Sequence, residues 1–111
     1  MYLLIMKYEL TEEQLDKLMK PYWDSKFEGA KKGRVKNYSE SDDWSGVFIN
    51  TPNGKVLIAG YPSDSVGNTW YSNGEYFLGG WSLYNIDTDV FNKSMRRYIN
   101  DRFGEDIWAI V

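Results

Sequence analysis

Two short runs rich in Val, Ile and aromatic residues, residues 44–50 (WSGVFIN) and 55–61 (KVLIAGY), flank Thr51-Pro52-Asn53-Gly54. Pro52 presets φ at the first central position of a turn, and Asn53-Gly54 tolerates the positive φ that joining two twisted strands requires. A β-hairpin follows. The same logic applied to Ser72-Asn73-Gly74-Glu75, between Thr69-Trp70-Tyr71 and Tyr76-Phe77-Leu78, predicts a second hairpin and hence an antiparallel meander. Residues 62–68 read as the loop between them, and Gly79-Gly80 as a bulge or strand end.

On either side the period changes from two to between three and four. Thr11-Glu12-Glu13-Gln14 fits a capping box, and Leu15, Leu18, Met19, Tyr22, Trp23, Phe27 and Ala30 form one apolar stripe at helical spacing. The stripe keeps phase across Pro21, so the expectation is one kinked helix ended by Gly29 and Gly33. Residues 34–38 suit a short strand and residues 39–43 a solvated acidic turn. A second helix is expected from a Thr88 cap to Gly104, with Asp89 at its positive end and Phe91, Met95, Tyr98, Ile99 and Phe103 on its apolar face. Residues 107–111 are apolar without alternation, which suits a strand buried on both faces or one that pairs across a homodimer. Residues 2–9 read as an edge strand, or else Met6-Lys7 is a start and residues 1–5 are an upstream extension. The sum is a single α+β domain, residues 1–111, with a mainly antiparallel sheet of four to five strands and two helices packed on one face.

Composition then narrows the chemistry. There is no cysteine and no histidine, which removes thiol nucleophiles and the commonest general base and metal ligand. No cofactor or metal is expected. Asn85-Ile86-Asp87-Thr88-Asp89 opens like a calcium loop, but Val90 stands where glycine is needed and Arg96 where a bidentate Glu is needed. No run reaches the ~20 apolar residues that span a bilayer, and the expected location is the cytoplasm. The net charge of −3 argues against nucleic acid as the main partner. That charge is segregated, however. Lys31, Lys32, Arg34 and Lys36 form a basic cluster that, with Tyr38 and Trp44, has the elements needed to hold a single strand by charge and stacking; its plain alternative is a solvated helix end and loop.

Strand alternation sends Trp70 and Tyr71, or Tyr76 and Phe77, to opposite faces, so about half of the aromatic side chains should point away from the core. Such rings offer large area and few rotamers to freeze, as interface hot spots do; alternatively they are cross-strand pairs that stabilise the sheet. The candidate partner-binding residues are Trp44, Trp70, Tyr71, Tyr76 and Trp81 as anchors, with Asp42, Asp43, Asp64 and Glu75 steering a host protein with a basic surface. Asp42, Asp43 and Glu75 are also the only sources of a glycosidase-like carboxylate pair.

The segment from Leu15 through Lys20-Pro21-Tyr22-Trp23-Asp24 to Ala30, the strand ending Gly60-Tyr61-Pro62, Trp70-Tyr71-Ser72-Asn73-Gly74, and Val90-Phe91-Asn92 through Tyr98-Ile99-Asn100 to Gly104 resemble small accessory proteins encoded by phages. The resemblance implies a host-cell cytoplasm and a non-enzymatic protein that binds and blocks a host protein, including defence or nucleic-acid-binding components. The alternative is a small module for glycan or single-stranded nucleic acid.

Overall fold

The computed structural model describes residues 2–5, 8–39, 42–77 and 86–111. In chain order these form β1 (Tyr2–Ile5), β2 (Tyr8–Thr11), α1 (Glu12–Lys26), β3 (Lys31–Ser39), β4 (Asp42–Thr51), β5 (Gly54–Pro62), β6 (Thr69–Ser72), α2 (Gly74–Phe77), α3 (Thr88–Phe103) and β7 (Ala109–Ile110). Strands β3-β4-β5-β6-β7 make one sheet, antiparallel except where β7 joins β6 in parallel. The β1–β2 pair is a separate antiparallel ribbon, so residues 2–9 contribute two strands where one was expected. No described helix is long and apolar enough to cross a membrane.

The start of α1 follows its sequence signal. The Thr11 hydroxyl accepts from the Gln14 amide at 3.1 Å while the Gln14 side chain accepts from the Thr11 amide at 2.9 Å, which satisfies two donors that the first turn leaves over. The helix continues through Pro21 as one element and stops at Lys26, sooner than the stripe predicted. Phe27 is its C-cap and Gly29, at φ +74, turns the chain into β3. Phe27 remains fully buried beyond the helix end, whereas Leu18, expected on the same stripe, is 46% exposed.

Trp23 is the hub of the core. Its ring lies 4.9 Å from Phe91, 5.9 Å from Phe77 and 6.3 Å from Phe27 between centroids, and its indole N–H donates to Ser94 at 3.1 Å. Leu15, Met19, Val47, Ile58, Trp70, Met95 and Ile99 complete the layer, so α1 and α3 cover one face of the sheet. A bulge in β5 aids that face: Val47 pairs with Ala59 and Phe48 with Leu57, leaving Ile58 as the extra residue, and both Ile58 and Ala59 reach the core.

Four expectations are corrected. The second hairpin does not form; residues 74–77 are the one-turn α2, and β6 pairs with β5 and β7. Asn73 explains why: its side-chain amide donates to Leu57 O at 2.8 Å and its backbone N–H to Ile58 O at 2.9 Å, satisfying the two carbonyls at the bulge. Residues 107–111 are not buried on both faces, since Ile107 and Ile110 face the core while Trp108 and Val111 are exposed. The N-cap of α3 is Asp87, whose carboxylate accepts from the Val90 amide at 2.9 Å, and Thr88 is the first helical residue. Residues 34–38 belong to a nine-residue strand, with Asp42 and Asp43 already in β4 and Ser39 paired to Asp42.

At the centre of the sheet β4 and β5 approach more closely than side chains allow. Gly46 pairs with Gly60, and a Cβ on Gly46 would lie 2.2 Å from the Ala59 carbonyl oxygen. Gly46→Ala is therefore expected to destabilise the protein by about 1–3 kcal/mol in urea unfolding. Gly74→Ala, which meets nothing within 4 Å, serves as the control and should stay within ~0.5 kcal/mol of the parent.

Candidate binding face

The face of the sheet away from α1 and α3 is built from alternate residues of four strands. One row across it is Val35, Trp44 and Pro62; the next is Gly33, Gly46, Gly60 and Tyr71; the next is Lys31, Phe48 and Leu57. The middle row has three strands without side chains. Phe48 turns into that space, its ring close enough that a Cβ on Gly33 would lie 3.0 Å from it. Trp44 and Tyr71 meet across Gly60 at 5.8 Å between centroids, edge to face. Strands two apart are separated by about 9–10 Å, so this contact needs a bare residue on the strand between them.

Tyr38 extends the string, 5.5 Å from Trp44 between centroids. Tyr38 is 38% exposed and Tyr71 47%, while Val35, Phe48 and Leu57 form a small buried cluster beneath them, with Trp44 packed against it. The rings are thus held on a fixed base with their outer surfaces in solvent. Beside Tyr38 lies a concavity of about 550 Å³ lined by Arg34, Val35, Lys36, Asn37, Tyr38 and Lys55. Asn37 shapes it by adopting φ +52 where the β3–β4 register shifts, held by a 3.0 Å bond from its amide to Asp43. The Lys55 ammonium sits 4.7 Å from the centre of the Phe48 ring, a cation–π contact.

Of the partner-binding residues singled out in the sequence, the fold brings Trp44 and Tyr71 together, with Tyr38 of the basic-cluster reading beside Trp44, and leaves the other anchors elsewhere. Trp70 is 1% exposed, in the core beside Tyr61, with its indole N–H donating to Gly67 O at 3.0 Å; it is corrected from a surface anchor to a core residue. Tyr76 lies on the helical side, its hydroxyl donating to the Lys26 carbonyl. Trp81 falls outside the described residues. Asp43 is engaged by Arg34 at 3.8 Å and by the Asn37 amide. Asp42 is exposed at the start of β4, Asp64 in the turn after β5, and Glu75 on α2. The carboxylates therefore do not ring the aromatic string, and Asp42 or Asp43 does not share an element with Glu75. Tyr38 was paired with Trp44 in the sequence as part of the basic-cluster reading, but Phe48 and Lys55 were missed as members of the same face; only the register of β3 against β4 and the β5 bulge unite them, and neither has a local sequence signal.

A second concavity, of about 680 Å³, lies between α1 and α3 with Trp23 and Ser94 at its floor. Its charged groups largely engage one another. Arg97 holds Asp16 through two bonds of 2.6 and 2.9 Å and reaches Glu12 at 3.1 Å, and Asp16 accepts from Ser94, which accepts from Trp23. The Asp16 carboxylate raises the Arg97 pKa further above its ordinary value. Asp24 is drawn below the usual carboxylate range by its bonds with Lys20 and Tyr98. This cleft is a clasp joining two helices. Among the described residues no group of three acidic side chains is placed to hold a metal ion.

No family model, curated protein or solved structure matches the chain.

Asp16→Ala leaves the buried Ser94 without its acceptor and Arg97 with Glu12 alone, and should cost about 1–3 kcal/mol of unfolding free energy. A pH dependence follows as well. Burial, and for Tyr98 also its bond to Asp24, lifts the phenols of Tyr76 and Tyr98 above the ordinary 10.0. The unfolded chain loses those protons first, so the contribution is whole below the ordinary tyrosine value and fades as pH rises through the higher folded values. Denaturation followed above about pH 10 should show a steeper loss of stability in the parent than in Tyr76→Phe/Tyr98→Phe.

Proposed function

We propose that this chain is a non-enzymatic binding protein that acts by covering what it binds, with the open face of its sheet as the contact. The observation that supports this reading is the string Tyr38, Trp44 and Tyr71, running across four strands, half exposed, on a base of Val35, Phe48 and Leu57. Rings in mutual edge contact lose little conformational freedom on binding and present both apolar area and hydroxyl groups, the combination that dominates interface energetics. The proposal includes the setting implied by the resemblance to phage accessory proteins: cytoplasmic action in a host cell, with a host component blocked by occupation of its surface. Catalysis has less behind it, because Asp43 is bound to Arg34 and Asn37 and Glu75 stands on a different element.

The test is a paired substitution on the face. Tyr38→Ser/Tyr71→Ser should unfold within about 1 kcal/mol of the parent, as befits half-exposed positions, yet hold its partner from a host extract at least about tenfold more weakly. Lys20→Ala, on the helical side, should bind as the parent does. Full retention by the tyrosine double variant would overturn the reading.

A further inference from the structure

The basic cluster of β3 divides when the strand forms. Lys32 turns to the helical side, where it binds Glu105 at 2.8 Å and the Phe103 carbonyl at 3.0 Å. Lys31 pairs in register with Phe48 on the open face, Lys36 lines the concavity beside Tyr38, and Lys55 reaches the same concavity from β5, while Arg34, between Gly33 and Val35, alternates to the other face beside Asp43. Among the described residues no carboxylate lies within ion-pairing distance of Lys31, Lys36 or Lys55, and Arg34 has only a 3.8 Å contact with Asp43. Many of the carboxylates that give the chain its negative balance lie off this face: Glu12, Asp16 and Asp24 are in the helix clasp, Asp87 caps α3 and Glu75 is on α2, while among the described residues Asp42, Asp43 and Asp64 lie near the Trp44 end.

Resting on the open face as the contact surface, we infer that its ligand is single-stranded nucleic acid, with phosphates at Lys36 and Lys55 and bases on Tyr38, Trp44 and Tyr71. Cations on one side and ring faces on the other match the two chemistries of a single strand, whose phosphates seek charge and whose unpaired bases seek aromatic surface. A duplex presents no free base faces to such a string. A lone nucleotide is shorter than the string, which takes two centroid steps of 5.5 and 5.8 Å beyond the cationic concavity. The whole-chain charge of −3 does not decide the matter, because the field at a site is set by the charges within about 10 Å.

The probe is a short fluorescein-labelled oligothymidylate followed by anisotropy. Saturable binding is expected at about 50 mM salt, weakening roughly sevenfold by about 200 mM as about two phosphate contacts are screened. An unlabelled single strand should compete far better than a duplex or a free thymidine nucleotide. Lys36→Glu/Lys55→Glu should weaken binding and flatten its salt dependence, whereas Tyr38→Ser/Tyr71→Ser should weaken it with the slope kept. No saturable binding at low salt, equal competition by duplex, or binding that both double variants leave intact would overturn the inference. If the oligonucleotide never binds but Tyr38→Ser/Tyr71→Ser sheds a protein partner, nucleic acid is wrong and the open-face reading stands. If neither ligand responds to that variant, both are wrong.

Discussion

β4 and β5 meet at Gly46 and Gly60 with room for no side chain on either: a Cβ on Gly60 would sit 2.3 Å from the Ser45 carbonyl oxygen, as one on Gly46 would crowd Ala59. Much of the open face follows from that approach. With Gly33 in the same row, it opens a strip on the outer sheet into which Phe48 turns and over which Trp44 and Tyr71 touch. Glycine in a strand interior forgoes packing and costs conformational entropy, and here the aromatic rings of neighbouring rows restore the packing. The bulge that follows in β5 sends Ile58 and Ala59 together into the core. One irregular strand pair thus shapes both faces.

The two faces carry unlike chemistry. On the helical side, Trp23 and the rings around it bury large apolar area, and the Arg97–Asp16–Ser94–Trp23 chain satisfies the polar groups at its edge. On the open side the buried cluster is small, the rings above it are half exposed, and the cations beside them face solvent. Charge is sorted in the same way, since carboxylates pair or cap on the helical side while Lys31, Lys36 and Lys55 have no carboxylate partner among the described residues.

The parts legible in the sequence were those set by local rules. The capping box at Thr11, the turn at Pro52-Asn53 and the left-handed Gly104 each involve residues within a few positions of one another. At the turn, positive φ falls on Gly54 alone and not on Asn53. The second hairpin was not legible as absent, because Asn73-Gly74 has the right turn chemistry and is drawn away by carbonyls of the β5 bulge. The same limit governs the face. Alternation correctly assigned Trp70 and Tyr71 to opposite sides without saying which side lay open, and Tyr38, Phe48 and Lys55 converge with Trp44 only through register.

The most direct test of single-strand binding on the open face is to map contact residue by residue, by following backbone amide signals of isotope-labelled protein during titration with a short oligothymidylate. Shifts are expected to concentrate at Asn37, Tyr38, Trp44, Lys55 and Tyr71, with α1 and α3 unmoved. Shifts centred instead on Lys20, Trp23 and Arg102 in the helix cleft, or none on the sheet, would contradict single-strand binding on the open face.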